Sequence, residues 1–254
     1  EFFWNKDKSQ NLVKKVSQLK SMNFFNGLGT YFDKVQRMRK LGAVISDELL
    51  ISKEKVELSA TICKTDLISE IVGEFPELQG IMGGHLSFVQ GFDKEIVDAI
   101  KEQYLPIGQE SIVPKKPFSI ALSLSDKIDT LTGFFGINET PSSSKDPYAL
   151  RRVALGIIRI IIENKKNIKI NDLFSYSKNI YLEQGFNLSN ETLNKDISSF
   201  LKERFKNYLK ENDFRYDIID ATTKTLDLNK VSLAYEKAKS LNKVISKSIG
   251  EDIV

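Results

Sequence analysis

One cysteine, one histidine and one tryptophan occur in 254 residues. With Cys63 alone, no internal disulfide can form, and a reducing compartment, the cytoplasm, is expected. With His85 alone, a zinc site of His and Cys ligands cannot be assembled within the chain. Any Ser-His-Asp or Cys-His arrangement would depend on that same histidine. Neither a GxxxxGK[ST] phosphate loop nor a GxGxxG fingerprint is present. Gly80, Gly83 and Gly84 are too loosely arranged for a phosphate cradle. With His85 they read as a tight turn carrying an exposed histidine. No apolar run approaches the roughly 20 residues that cross a membrane, and the start lacks a signal-peptide pattern. Charge of one sign is also missing: 37 basic residues face 34 acidic ones, so any basic surface must be local. These absences argue against an independent enzyme.

What is present is helical periodicity. Leu28, Tyr31, Phe32, Val35, Met38 and Gly42 share one face of a first long helix. Val56, Ala60, Cys63, Leu67 and Ile71 share the face of a second, which ends at turn signals around Pro76 and Gly80. Ile96, Ile100 and Tyr104 mark a shorter helix that stops before Pro106. Ile120, Leu124, Ile128, Leu131 and Phe135 mark a fourth, with Pro117 just ahead of it. A Ser/Thr/Pro-rich loop from Gly136 to Ser144 leads to Asp146 as N-cap and Pro147 at the first helical position. Leu150, Val153, Ala154, Ile157, Ile158 and Ile161 then form an apolar face, flanked by a stripe of Tyr148, Arg152, Leu155 and Arg159. Phe200, Leu201, Phe205 and Leu209, the turn at Asp217–Ala221 and the stretch Val231–Ile245 continue the pattern. Only Ile45 to Ile51 offers a hairpin arm. The fold class is all-α, with a domain boundary near residues 165–170, where lysine and asparagine increase.

Three carboxylates stand out. Asp126 and Asp129 lie three residues apart on the fourth helix, and Asp66 lies on the second. They either converge on Mg²⁺ or pair with neighbours such as Lys64 and Lys127. Cys63 lies on an apolar stripe and reads as a buried structural thiol. Phe2, Phe3 and Trp4 read as an anchor for the start of the chain. Glu1 is not methionine, which suggests a piece of a longer protein.

Longer motifs are more specific. Cys63–Leu67, Val72-Gly73-Glu74-Phe75-Pro76-Glu77-Leu78-Gln79-Gly80-Ile81-Met82-Gly83, Tyr104-Leu105-Pro106, Ser125–Leu131 and Ser144–Arg152 together resemble the β subunit of bacterial two-subunit glycyl-tRNA synthetase. Phe2-Phe3-Trp4 and Lys34-Val35 fit in the same order. The resemblance runs to about residue 163. More weakly, it continues from Phe200 to Ala221, which is similar to the start of the helical anticodon-binding domain shared with class I synthetases. The family pattern extends beyond Val254.

That resemblance implies an assembly of two α and two β subunits. The α subunit would use ATP and Mg to activate glycine, and the β subunit would bind and position tRNA(Gly). The remainder of the β subunit would be a further partner, and no membrane would be involved. Residues 1–166 would form a domain resembling the HD superfamily of metal phosphohydrolases. Residues 167–254 would form an incomplete anticodon-binding-like helical domain. The metal site is expected to be degenerate: Asp66 and Asp126 keep two aspartate positions, but Lys64 and Thr65 stand where histidine is wanted, as does Gln103. No catalytic residue, cofactor or metal is expected in this chain itself. Charge and helix position nominate Lys34, Arg37, Arg39, Lys40, Lys64, Lys145, Arg151 and Arg152 for the tRNA backbone. Arg151 or Arg152 pairing with Asp126 or Asp129 is an alternative role. An HD-type metal phosphohydrolase and a scaffold for subunit assembly are the alternative functions.

Overall fold

The computed structural model describes residues 2–245. It is all-α apart from one short hairpin. The first elements are α1 (Phe2–Lys8) and α2 (Leu12–Lys15), then a 3-10 turn and the antiparallel strands β1 (Asn23–Phe25) and β2 (Gly29–Thr30). Thr30 starts α3 (Tyr31–Leu49) through a capping box. Its backbone N–H donates to Asp33 Oδ2 at 2.8 Å, and Asp33 N–H donates back to Thr30 Oγ1 at 3.3 Å. The expected hairpin arm at Ile45–Ile51 is corrected here. Leu41 and Ile45 continue the buried stripe of α3, which stops only at Leu50, in the left-handed region at φ 56°.

The second expected helix is divided. Ser52 caps α4 (Lys53–Ile62), and a 3-10 turn over Thr65–Ile68 then separates it from α5 (Glu70–Glu74). New caps explain the break: Ser69 Oγ accepts from Val72 N, and the Asp7 carboxylate accepts from Glu70 N and Ile71 N at 3.1 Å each. The Gly83-Gly84-His85 segment is not a turn. It lies inside α6 (Ile81–Val89), where His85 is exposed. The turn is at Gly80, φ 81°, one residue before the helix. Gly84 lets α6 press on α7 (Lys94–Glu102), since a Cβ there would fall 2.1 Å from Lys101 Cγ.

α8 (Pro117–Gly136) is buried along nearly its whole length and on all sides, its polar side chains included, and is the central helix of the fold. Around it pack α3, α4, α7, α9 (Leu150–Glu163), α10 (Ile170–Glu183) and α11 (Leu193–Glu211). α12 (Tyr216–Lys224) and α13 (Val231–Ile245) complete the described chain. One apolar cluster runs from Leu28 through Ile120, Leu124 and Ile157 to Phe174, Phe205 and Val231. Side chains on both sides of residue 166 therefore share one core. A second cluster, including Val35, Met38, Cys63, Ile100 and Leu122, lies between α3, α4, α7 and α8.

α9 begins later than its sequence predicts. Residues 146–149 form a turn with Ala149 at φ 56°, and the helix starts at Leu150. Asp146 caps it nonetheless, reaching across the turn to accept Leu150 N at 2.8 Å and Arg151 N at 3.0 Å. The predicted stripe of α9 is buried apart from Val153, which is half-buried.

Candidate functional site

α8 carries Asp126 and Asp129 on one face, and α3 packs against that face with Lys34 and Arg37 at the same i, i+3 spacing. The two pairs interlock. Lys34 Nζ lies 3.1 Å from Asp126 Oδ1 and 3.0 Å from Asp129 Oδ2, and it donates to Thr130 Oγ1 at 2.9 Å. The Arg37 guanidinium clamps Asp129 from Nε at 2.6 Å and from Nη2 at 3.3 Å. Its Nη1 donates to Leu28 O and Gln184 Oε1, and the group sits 3.9 Å over the Tyr181 ring. Arg37 is fully buried, so this planar, multiply bonded geometry is what makes its charge tolerable.

Lys64 approaches from the end of α4. Its Nζ lies 3.3 Å from Asp126 Oδ1 and 4.0 Å from the centre of the Tyr104 ring. Lys127, also buried, donates instead to Tyr104 O, Leu105 O and Ser123 Oγ, and so pins the loop after α7. Gln103 holds α7 to the end of α4 by donating to Cys63 O at 2.8 Å. Asp66 has a separate task. Its Oδ2 accepts from Gly80 N at 2.6 Å and Gly83 N at 3.1 Å, capping the start of α6. Gly83 is required for this approach, because a Cβ there would meet Asp66 Oδ2 at 3.0 Å.

Electrostatics follow from these contacts. Burial alone would raise the Asp126 pKa, but Lys34, Lys64 and Lys127 hold its carboxyl well below the ordinary range. Burial likewise opposes the charge of Lys64, and Asp126 with Tyr104 overcomes it and raises the ammonium above its usual value. For Asp66 burial wins over the amide hydrogen bonds and the carboxyl is pushed up. Burial pushes the Cys63 thiol up to about 12. Lys127 has only neutral oxygens as hydrogen-bond partners, and burial lowers its ammonium to about 8.

This donor set does not fit a divalent metal. Asp126 and Asp129 are already ion-paired with ammonium and guanidinium groups, and Asp66 Oδ2 is committed to backbone amides. Lysine ammoniums have no lone pair to offer a metal. Among the described residues no group of three or more His, Cys, Asp or Glu side chains is placed to hold one.

The surface candidates divide in two. Lys34, Arg37 and Lys64 are buried, and their charged groups are paired with Asp126 and Asp129. Arg151 and Arg152 do not pair with those aspartates, whose partners come from α3 and α4. Arg39, Lys145 and Arg152 are exposed, and none has an ion pair among the described residues. Lys40 is tied to Glu183 at 2.7 Å, and Arg151 donates to Ser142 O. Arg159, from the expected basic stripe, is buried. It holds Gly108 O at 3.0 Å, Gln109 O at 2.6 Å and Glu163 Oε1 at 2.7 Å. Sequence reasoning missed Tyr181, Gln184 and Arg204 as polar neighbours of these groups. No local motif marks them, because α10 and α11 reach α3, α8 and α9 only through the tertiary fold.

A family model described as "Glycyl-tRNA synthetase beta subunit" matches residues 1–224. The "Glycine--tRNA ligase beta subunit" of Clostridioides difficile is 40% identical over 248 residues, covering 97% of this chain and 36% of the relative. The protein of that name from Rickettsia canadensis is 40% identical over 256 residues, covering 100% and 36%. The one from Rhodospirillum centenum is 39% identical over 224 residues, covering 87% and 31%. The chain thus spans about a third of the length of these curated relatives. Among the described residues no helix is long and apolar enough to cross a membrane. With that match over most of its length, the chain belongs to the glycyl-tRNA synthetase beta subunit family.

Proposed function

We propose that this chain is a tRNA-positioning region of a cytoplasmic glycine–tRNA ligase, whose ATP- and Mg-dependent glycine activation takes place on a partner α subunit. Residues 1–166 correspond to an HD-like part without a metal, and residues 167–254 to the start of an anticodon-binding-like part. The observation that carries the reading is the internal neutralisation of Asp126 and Asp129 by Lys34, Arg37 and Lys64. It removes the carboxylates that metal-dependent hydrolysis would need, while Arg39, Lys145, Arg151 and Arg152 stay at the surface, where guanidinium and ammonium groups suit phosphates. With 37 basic residues against 34 acidic ones, binding of a polyanion would rest on such local side chains and not on net charge.

The test is aminoacylation of tRNA(Gly) by the α subunit with the full-length β subunit, wild type against Arg39→Gln/Lys145→Gln/Arg151→Gln. The reading predicts a raised KM for tRNA. An unchanged KM contradicts it.

A second reading, a scaffold for subunit assembly, is favoured by one observation. Ile81, Phe88 and Val89 of α6 are exposed, with Phe75 exposed just before that helix, and such side chains in one region mark contacts with other proteins. Footprinting of tRNA on the intact assembly separates the two readings, since only the first places protected nucleotides against this chain.

A further inference from the structure

α9 and α11 pack side by side, and their seam opens into a cleft of about 270 Å³ lined by Arg151, Arg152, Leu155, Arg204 and Asn207. Gln109 closes it from the loop that Arg159 fixes by its two carbonyl contacts. Three guanidiniums thus share one small cleft, and Glu211 is the only carboxylate in its lining. Their donors are not used up. Arg152 and Asn207 have no hydrogen bond or ion pair, and the buried Nε of Arg204 has no partner among the described residues. Arg204 is held over the Phe200 ring at 5.3 Å, with its Nη2 on the exposed Glu203. Arg151 gives an Nη2 hydrogen to a neutral carbonyl only, that of Ser142. Arg152 also lines a second, neighbouring cleft together with Asp126 and Lys127.

Like charges brought together with unfilled donors call for an anion, and forked guanidiniums match the oxygens of a phosphate. We infer that the α9–α11 cleft is a binding site for one backbone phosphodiester of RNA, with Arg152 and Arg204 as its principal ligands. The inference rests on the tRNA-binding reading and gives it a location that includes Arg204, Asn207 and Gln109. Glu211 at the cleft opposes the ligand and limits its affinity. The apolar floor at Leu155 and the amide groups of Asn207 and Gln109 suit the ribose on either side of the phosphate better than a bare inorganic ion.

The experiment is equilibrium binding of tRNA(Gly) to the full-length protein that contains this chain, from about 50 to 200 mM salt. Wild type is compared with Arg152→Gln, Arg204→Gln, the double variant and Glu211→Gln, with a thermal melt of each. The single arginine variants should weaken binding about 3- to 10-fold. Loss of the one phosphate contact should also flatten the slope of log K against log[salt] by about 0.7–0.9. Glu211→Gln should tighten binding about 2- to 5-fold, a gain that a merely structural role would not produce. If wild type binds tRNA and the double variant matches it in affinity and slope, the cleft is not the site and the tRNA reading stands. If wild type does not bind tRNA at all, the wider reading fails and the inference with it. In a separate arm, 10 mM inorganic phosphate is added to wild type and the double variant. An Arg-dependent rise in melting temperature without an Arg-dependent loss of tRNA affinity would assign the cleft to small free phosphates and overturn the RNA assignment.

Discussion

Lys64 Nζ stands 3.3 Å from Asp126 Oδ1, an ammonium against a carboxylate that lies 62 positions further along the chain. With Lys34 on the same oxygen at 3.1 Å, it turns a pair of aspartates into a closed ionic knot between α3, α4 and α8. The arrangement holds helices together and leaves Asp126 no free charge for acid–base work.

Removing one member of a buried ion pair leaves the other charge uncompensated. Lys64→Met is therefore expected to cost about 3–5 kcal/mol of unfolding free energy. Adding Asp126→Asn to Lys64→Met should recover part of that loss. Urea denaturation of the two variants and wild type checks this. Equal stability of wild type and Lys64→Met would mean that the knot contributes nothing.

Arg37 makes a bidentate clamp that lysine cannot reproduce. Arg37→Lys keeps the charge but gives up the fork on Asp129, the bond to Gln184 and the stacking on Tyr181. Because the charge is kept, the expected loss is about 2–3 kcal/mol, at or below the low end of the roughly 3–5 kcal/mol for removing one partner outright. The midpoint of urea unfolding reports it.

The knot has a pH signature. The folded pKa of Asp126 lies below that of the unfolded chain, about 3.9. Its stabilisation is therefore complete above that value and lost as the pH falls through the folded one. Asp66 works in the opposite sense, because its folded pKa is raised. Asp126→Asn should flatten the dependence of stability on pH between about 4 and 2. Unfolding free energies at pH 5, 4, 3 and 2 measure the difference.

Much of this was legible in the sequence. The buried faces of α8 and α9 are plain in their apolar spacing, and Asp126 with Asp129 at i, i+3 announces one polar side on an otherwise apolar helix. Lys34 and Arg37 repeat that spacing, yet nothing local shows that their face turns inward, since lysine and arginine are usually solvated. The packing of α3 on α8 decides it. Asp146 was legible as a cap but not as one acting across a turn, because the left-handed Ala149 has no sequence signal. The break between α4 and α5 comes partly from Asp7, more than sixty residues away, which periodicity cannot see.

Cys63 should be inert while the protein is folded. It is fully buried and its thiol is pushed up to about 12, so almost no thiolate exists at pH 8. Iodoacetamide should label it only when urea unfolds the chain, and the labelling rate with and without urea checks this. Rapid labelling of the native protein would mean that α4 and the following turn open locally.

On the proposed reading, this region touches tRNA with surface arginines while glycine activation takes place on another subunit. Photo-crosslinking of tRNA(Gly) to the assembly of α with full-length β, read by mass spectrometry of the attached peptides, tests it most directly. Adducts are expected on peptides containing Arg39, Lys145, Arg151–Arg152 or Arg204. Adducts confined to peptides outside these 254 residues would contradict that reading.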